Sequence, residues 1–466
     1  MSLLLSEISK LLPEEDTTDY RILNRELFNS LDKTCIVVDD DPTGNQTVYD
    51  IPLLTKWDVE TLIEEFRKRT PVFFLLTNSR SLSQEKSTEI FKTIAKNVLK
   101  ASEMTDREFV MISRSDSTLR GHFSEIEVIN SSLGIKDRIT FIIPVMFEGK
   151  RVTVNNTHYI LEDDELTPVN ETPFASDHTF GYKNADLTKY IEEKTRESIK
   201  ASDVFTISIE DIRQSSVEQL STKIQSIPSG SFCIANALHY ADLDKVTHAL
   251  LLVESQEKHI TYRTSSSFVP SYIGLKPKNL LEPKELINFG NDTGGLTIVG
   301  SYVPKSSAQL NETLKNFAED TIIEVAVEEI LKEKAFSYIK SLSEKINKKL
   351  SDGKHVIVFT SRNLITGNDA KTNIDIASKV SQALVHLVNL LEEAPKYLLA
   401  KGGITSNDLA IKGLGMQRST VIGQIEAGIP VWKMGKETKF QDMLYIVFPG
   451  NVGDERTLSN IIQKLN

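Results

Sequence analysis

The 466-residue sequence predicts an α/β protein of two domains, each a largely parallel sheet flanked by helices. Three observations lead there. In each half, short apolar runs of strand length alternate with amphipathic stretches of helical period. The chain is longer than one ordinary core employs. And from 265 to 295 the periodicity fails, in "SSSFVPSYIGLKPKNLLEPKELINFGNDTGG", where three prolines and four glycines mark a linker or domain junction. Domains over 1–275 and 290–466 are therefore expected.

In the first half, "CIVVDD" and "VFFLLTNSR" read as buried strands. Val59, Leu62, Ile63 and Phe66 form a helical stripe between them, and Phe91, Ile94, Ala95 and Val98 form another after the second. "FVMISRSDS" and "ITFIIPVM" continue the strand series. In "KRVTVNNTHYILEDDELTPVNETPF" short β-like runs flank Asn155 and Asn156, the pattern of a hairpin. "DVFTISIED" and "FCIANAL" resume the strand–helix rhythm. In the second half the strands are "LTIVGS", "HVIVFTSR", "KYLLAKGG" and "MLYIVFPG". Ile376, Val380, Ala383, Leu384 and Leu387 stripe one helix; Leu458, Ile461, Ile462 and Leu465 stripe the last.

Composition narrows the function. The chain is 40% hydrophobic and 26% charged, as in a globular protein, and its net charge of -11 argues against a nucleic-acid partner, which needs a basic stripe. Small anions remain open as ligands, because a few local cations and helix N-termini suffice for them. The two cysteines, Cys35 and Cys233, lie in apolar strand-like runs and read as buried reduced thiols. Leu3, Leu4, Ile8, Leu11 and Leu12 fall at helical spacing, without the basic region or small-residue cleavage site of a signal peptide. No apolar run is long enough to span a membrane, so a cytoplasmic protein without membrane partners is expected.

In open α/β sheets, ligands bind beyond the carboxyl ends of the strands. In the first half those ends deliver acids, hydroxyls and cations in alternation. One strand ends in Asp39, Asp40 and Asp41, the next in Thr77, Asn78, Ser79 and Arg80. The third runs into "SRSDSTLRGH", with Arg114, Asp116, Ser117, Thr118, Arg120 and His122, and "PVMFEGKRVT" adds Glu148, Lys150 and Arg151. That mixture suits a small polyhydroxylated anion: carboxylates accept from sugar hydroxyls, and guanidinium forks a carboxylate or phosphate. His122 and His158 stand singly and read as ordinary polar residues rather than zinc ligands.

In the second half the strand ends are short, hydroxylated and glycine-rich. They are Gly300-Ser301, the Gly402, Gly403, Ile404, Thr405 turn, and the Gly450, Asn451, Val452, Gly453 turn, each followed by a helix start. Glycine lets backbone approach a phosphate, and the free N–H groups of the helix start solvate it. Three such turns in one domain point to a polyphosphate, most simply ATP. None spells the P-loop or the dinucleotide fingerprint.

"DDDPTG", "SDSTLRGH", "TFGY", "GSYVPKSSAQL", "AKGGITSNDLA" and "FPGNVG" resemble, in order and spacing, the four-carbon acid sugar kinase family, from about residue 33 to 458. The resemblance implies an N-terminal substrate domain, a C-terminal nucleotide domain and an active site in the cleft between them. It implies ATP-dependent phosphorylation of the terminal hydroxyl of a four-carbon sugar acid, such as threonate, erythronate or 3-oxo-tetronate. The family's Asp-Asp-x-Thr-Gly falls on Asp40, Asp41, Thr43 and Gly44, and its Asp-Ser-x-x-Arg-Gly on Asp116, Ser117, Arg120 and Gly121. Nucleotide positions fall on Ser301, the Gly402–Thr405 turn and the Gly450–Gly453 turn. Pro42 and Ile404 depart from residues many members carry, Leu and Glu, as in a subgroup combining "DDDPTG" with "GGIT".

The implied mechanism is in-line phosphoryl transfer. An aspartate of the Asp40–Asp41 pair would orient or deprotonate the hydroxyl, Arg120 would pair with the substrate carboxylate or migrating phosphoryl group, and Mg²⁺ would bridge the ATP phosphates. Ser79, Arg80 and Arg151 join the expected substrate contacts. No residue is assigned to the metal itself. Members often self-associate, so a homo-oligomer is an open expectation. One alternative frame, Asp39-x-Asp41-x-Thr43, spells the motif of a haloacid-dehalogenase-like phosphatase with Asp39 as nucleophile and Asp41 as acid/base. Another alternative is a non-catalytic sensor of sugar acids or nucleotides.

Overall fold

The expected helical stripes become buried helix faces. Asp58 caps the helix Val59–Arg67 by accepting from Thr61 N at 3.0 Å, and Leu62, Ile63 and Phe66 are buried. Phe91, Ile94, Ala95 and Val98 are buried in the helix Gln84–Thr105. The computed structural model describes residues 3–286, 291–362 and 370–465, with side chains undescribed over 370–374. The chain forms two compact units, one of residues 1–48 and 56–277, the other of residues 49–55 and 278–466.

The first unit holds seven parallel strands among its described residues. Their order is Phe205–Ile207, Phe232–Ala235, Arg138–Ile143, His259–Thr264, Phe109–Arg114, Thr34–Asp39 and Val72–Leu76. Thr34–Asp39 is buried along its whole length, as a strand covered on both faces must be. The chain leaves it first toward Val72–Leu76 on one side, then crosses to Phe109–Arg114 on the other. This reversal is a topological switch point, where open α/β sheets bind ligands. The expected hairpin is present: Arg151–Val154 pairs with Thr157–Glu162, and Asn155 and Asn156 both take positive φ, 49° and 62°, as a two-residue type I′ loop requires.

The second unit has a mixed sheet. Ile51–Leu54, Arg418–Glu426, Ile429–Met434 and Leu444–Phe448 pair antiparallel in that order. From Leu444–Phe448 the pairing turns parallel, through Tyr397–Lys401, Leu296–Val299 and Val356–Thr360 to Ile322–Val325. Its own reversal of strand order lies at Leu296–Val299, between Tyr397–Lys401 and Val356–Thr360. The helix stripe Leu458, Ile461, Ile462 and Leu465 closes onto this sheet's core.

Two expectations change. The stretch 265–295 contains the boundary between the units, after Pro277, but it does not begin as a linker. Ser265, Ser266, Ser267 and the helix Phe268–Tyr272 are buried, and two of the hydroxyls find internal carboxylates: Ser267 Oγ donates to Glu148 Oε2 at 3.0 Å and Ser271 Oγ to Asp244 Oδ1 at 2.6 Å. Residues 287–290 of that stretch lie outside the described residues. At the start, only Leu5–Leu11 is helical; Leu3–Leu4 pairs with Glu165–Pro168, where strand hydrogen bonds replace a helical turn. Among the described residues no helix is long and apolar enough to cross a membrane.

Candidate functional site

At the switch point of the first unit, three strand ends deliver charge to one place. Asp39 closes Thr34–Asp39 and is fully buried. Arg114, closing the neighbouring strand, reaches Asp39 Oδ1 at 3.2 Å and Asp40 Oδ1 at 3.4 Å through Nη1, and Ser266 Oγ at 3.0 Å through Nη2. Ser266 in turn donates to Gly44 O at 3.2 Å, so the turn after the aspartates is tied to the sheet. A side chain at Gly44 would collide with the Asp39 carboxylate and the Arg114 guanidinium. Glycine is therefore what lets the turn close over this pair.

A second chain of ion pairs lies in front. Arg80 pairs with Asp41 and, through Nη1, with Asp116 Oδ1 at 2.9 Å. Arg120 Nε donates to Asp116 Oδ2 at 2.8 Å, and its Nη1 lies 3.8 Å from Asp177 Oδ2. Thr43 N donates to Asp41 Oδ1 at 2.7 Å. The expected residues Asp41, Thr43, Arg80, Asp116 and Arg120 thus form one connected group, with Asp40 beside it on Arg114. Gly121, at φ 110°, leaves room next to Asp40: a Cβ there would stand 2.9 Å from Asp40 Oδ2.

Ser79 and Ser117 each offer a backbone carbonyl to a histidine, and the buried Ser79 hydroxyl has no hydrogen-bond partner among the described residues. His122 Nε2 lies 3.1 Å from Ser79 O, and His158 Nε2 lies 2.8 Å from Ser117 O. Burial pushes His158 down to about 4, although the Ser117 carbonyl favours its protonated form. Arg151 donates to Gly149 O and, among the described residues, has no carboxylate within ion-pair distance, although Asp116 and Arg120 both act on it electrostatically.

The acids divide by environment. Burial pushes Asp39 up to about 7 against the pull of Arg114, and burial likewise raises Asp40 against Arg80 and Arg114. For Asp41 burial also opposes ionisation, but Arg80 and the Thr43 hydrogen bonds outweigh it and hold Asp41 below the usual carboxylate range. Asp116 is held low in the same way, by Arg80, Arg120 and Thr118 against burial. Sequence reasoning missed Glu125, which burial pushes up to about 8 despite Arg263. It also left out the Arg114–Asp39 pair and Ser266. An acid inside a helix start and a serine inside a polar run carry no local sign of burial.

In the second unit a cavity of about 540 Å³ opens at the reversal of strand order. That size falls in the range of small-ligand sites. Gly300, Ser301, Gly402, Gly403, Ile404 and Thr405 line one part of it; Ile376, Val380 and Leu384 of the helix Ala370–Asn389 give an apolar wall. Thr360, Ser361, Arg362 and Asp408 add polar groups. Gly402 takes φ 118°, and a Cβ on it would come within 2.9 Å of Ser301 Cβ. Ser306 Oγ donates to Ser301 Oγ at 3.0 Å and lies 3.1 Å from Gly450 O, so two of the expected turns meet. Asn451, Val452 and Gly453 do not line the cavity. Gln309 Nε2 holds their turn from behind, donating to Val452 O at 3.0 Å and Asp454 O at 2.7 Å. Lys401, unremarked in the sequence, is fully buried, donates to Pro449 O at 2.6 Å and lies 3.5 Å over the Phe448 ring. Burial pushes it down to about 7. Among the described residues no group of three or more His, Cys, Asp or Glu side chains is placed to hold a metal ion.

Two family models match the chain: a sugar-binding N-terminal domain over residues 35–272 and a nucleotide-binding C-terminal domain over residues 296–458. The chain belongs to the four-carbon acid sugar kinase family. As a member of that family it carries a sugar-binding domain around the aspartate–arginine group and a nucleotide-binding domain around the cavity. Two solved structures share the fold of the family member described here. One is Haemophilus influenzae protein HI1011, of the DUF1537 family, at 15% identity and TM-score 0.61, covering 92% of this chain and 99% of that one. The other is a Salmonella typhimurium LT2 protein carrying the provisional name tRNA synthase, at 13% identity and TM-score 0.64, covering 92% and 98%. No curated protein matches the sequence.

The phosphatase frame requires Asp39 to attack a phosphate. Asp39 has no exposed surface and is closed in by Arg114 and Gly44, which argues against that role.

Proposed function

We propose that this protein is an ATP-dependent kinase acting on the terminal hydroxyl of a four-carbon sugar acid: threonate, erythronate or an oxo-tetronate. The observation that carries the reading is the connected group Asp41–Arg80–Asp116–Arg120 at the switch point of the sugar-binding unit. Alternating carboxylates and guanidiniums match a ligand that bears several hydroxyls and one acid group.

Asp41, held ionised by Arg80, orients the hydroxyl. Asp40 has one carboxylate oxygen without a hydrogen-bond partner and a proton affinity raised by burial, and it takes the hydroxyl proton. The hydroxyl oxygen bonds to the γ-phosphorus, the bond to the β-phosphate oxygen breaks, and ADP leaves. Arg120 binds the substrate carboxylate. The cavity of the second unit takes the nucleotide, with its apolar wall for the base and the Ser301 and Gly402–Thr405 turns for phosphate. Magnesium carried by ATP would neutralise phosphate charge.

The test is ADP release with Mg-ATP over threonate, erythronate and their oxo forms. Turnover with one of them supports the assignment. ADP release with no four-carbon acid rejects the substrate class, and phosphate release from a phosphorylated sugar acid without ATP would support a phosphatase instead.

A further inference from the structure

The nucleotide cavity presents a charge problem. ATP brings several negative charges, yet its described lining is almost wholly neutral: serines, threonines, glycines and apolar side chains, with Asp408 adding a negative charge. Arg362 is the one cation among the described lining residues. It follows the strand Val356–Thr360, next to the strand end that carries Ser301.

Arg362 is part-buried, and like Arg151 it is held by carbonyls rather than by a carboxylate. Arg114, Arg80 and Arg120 each pair with carboxylates. Among the described residues Arg362 has no such pair: Nη1 donates to Ser301 O at 2.6 Å and Nη2 to Val299 O at 3.2 Å, while Nε has no hydrogen-bond partner among them. A guanidinium carries five N–H donors, and these bonds use two. A part-buried cation that is not neutralised by its own protein is costly. Here it is anchored by the carbonyl of Ser301, in the turn that the nucleotide reading assigns to phosphate, and by that of Val299 at the preceding strand end, and it borders a cavity.

We propose that Arg362 binds the phosphate chain of the nucleotide, its remaining N–H donors supplying the positive charge the glycine turns lack. The inference rests on the kinase reading for the identity of the ligand, and adds a residue to its site. The carbonyl bonds hold the guanidinium in place, so the charge is oriented before the ligand arrives.

Calorimetric binding of ATP and of adenosine to the full chain tests this, with Arg362→Met and Arg362→Lys beside the wild type. In Arg362→Met, ATP affinity should fall about ten- to a hundredfold while adenosine affinity stays within about twofold. Arg362→Lys should recover part of the ATP affinity. A purely structural role predicts equal losses for ATP and adenosine, and that result overturns the proposal. Unchanged ATP affinity in Arg362→Met overturns it too, leaving the kinase reading intact. If the wild type binds neither ligand, both fall. Should Arg362→Met fail to fold, the lysine variant decides: an ATP-to-adenosine affinity ratio below that of the wild type supports the proposal, and an unchanged ratio refutes it.

Discussion

Arg114 Nη1 stands 3.2 Å from Asp39 Oδ1, and neither side chain is more than 4% exposed. The two residues lie 75 positions apart and meet because their strands are neighbours. This buried pair underlies the site without facing it. Removing the cation leaves two acids, Asp39 and Asp40, without their shared partner. Arg114→Met should therefore destabilise the protein by about 3–5 kcal/mol in urea denaturation, whereas Asp39→Asn, which keeps the shape, should cost less. Equal costs would contradict the pairing.

The proposed division of labour between Asp40 and Asp41 has a kinetic signature. Asp40→Asn and Asp41→Asn should each lower kcat by about two to four orders of magnitude, with ATP affinity retained. Burial raises Asp40 above the usual carboxylate range. A base must be unprotonated, so the acid limb of the wild-type kcat/KM profile should lie above the ordinary carboxylate value of about 4. A limb at or below that value would exclude Asp40 as the base.

Glu125 gives a stability test independent of catalysis. Its carboxyl is pushed up to about 8 by burial, against an unfolded value of about 4.3. The folded state then binds a proton that the unfolded state has released. Its contribution is complete below about pH 4.3 and is lost as pH rises through about 8. Glu125→Gln carries a neutral side chain at every pH, so it should gain on the wild type steadily from pH 5 to pH 8.5. Urea midpoints across that range measure this, and parallel curves would refute it.

Gly402 tests the nucleotide turn. At φ 118° an alanine is strained, and its Cβ would press on Ser301. Gly402→Ala should lose most ATP affinity by calorimetry while sugar-acid affinity is unchanged. Normal ATP binding would remove this turn from the phosphate site.

Much was legible locally. A buried strand is a short apolar run, and the polar residues that follow it stand at its end, so the aspartate triplet, "SDSTLRGH" and the glycine turns could be placed before any contact was known. The Asn155-Asn156 hairpin was equally readable, because two adjacent residues that tolerate positive φ define it. Other features involve partners remote in sequence. The strand Ile51–Leu54 pairs with Arg418–Glu426 of the second unit, some 360 residues on, and nothing in its own composition says so. The polar run at Ser265–Ser267 reads as loop, because a serine's burial depends on acceptors supplied by Gly44 and Glu148.

By itself the sequence determined the two α/β halves, the family and the residue types at each strand end, all properties of short segments. Only the tertiary structure decided that Asp39 is sealed behind Arg114, that Asp41 and Asp116 share Arg80, and that Arg362 borders the cavity. Strand order makes these neighbours, and strand order follows from how whole layers bury their apolar faces, which no short segment encodes.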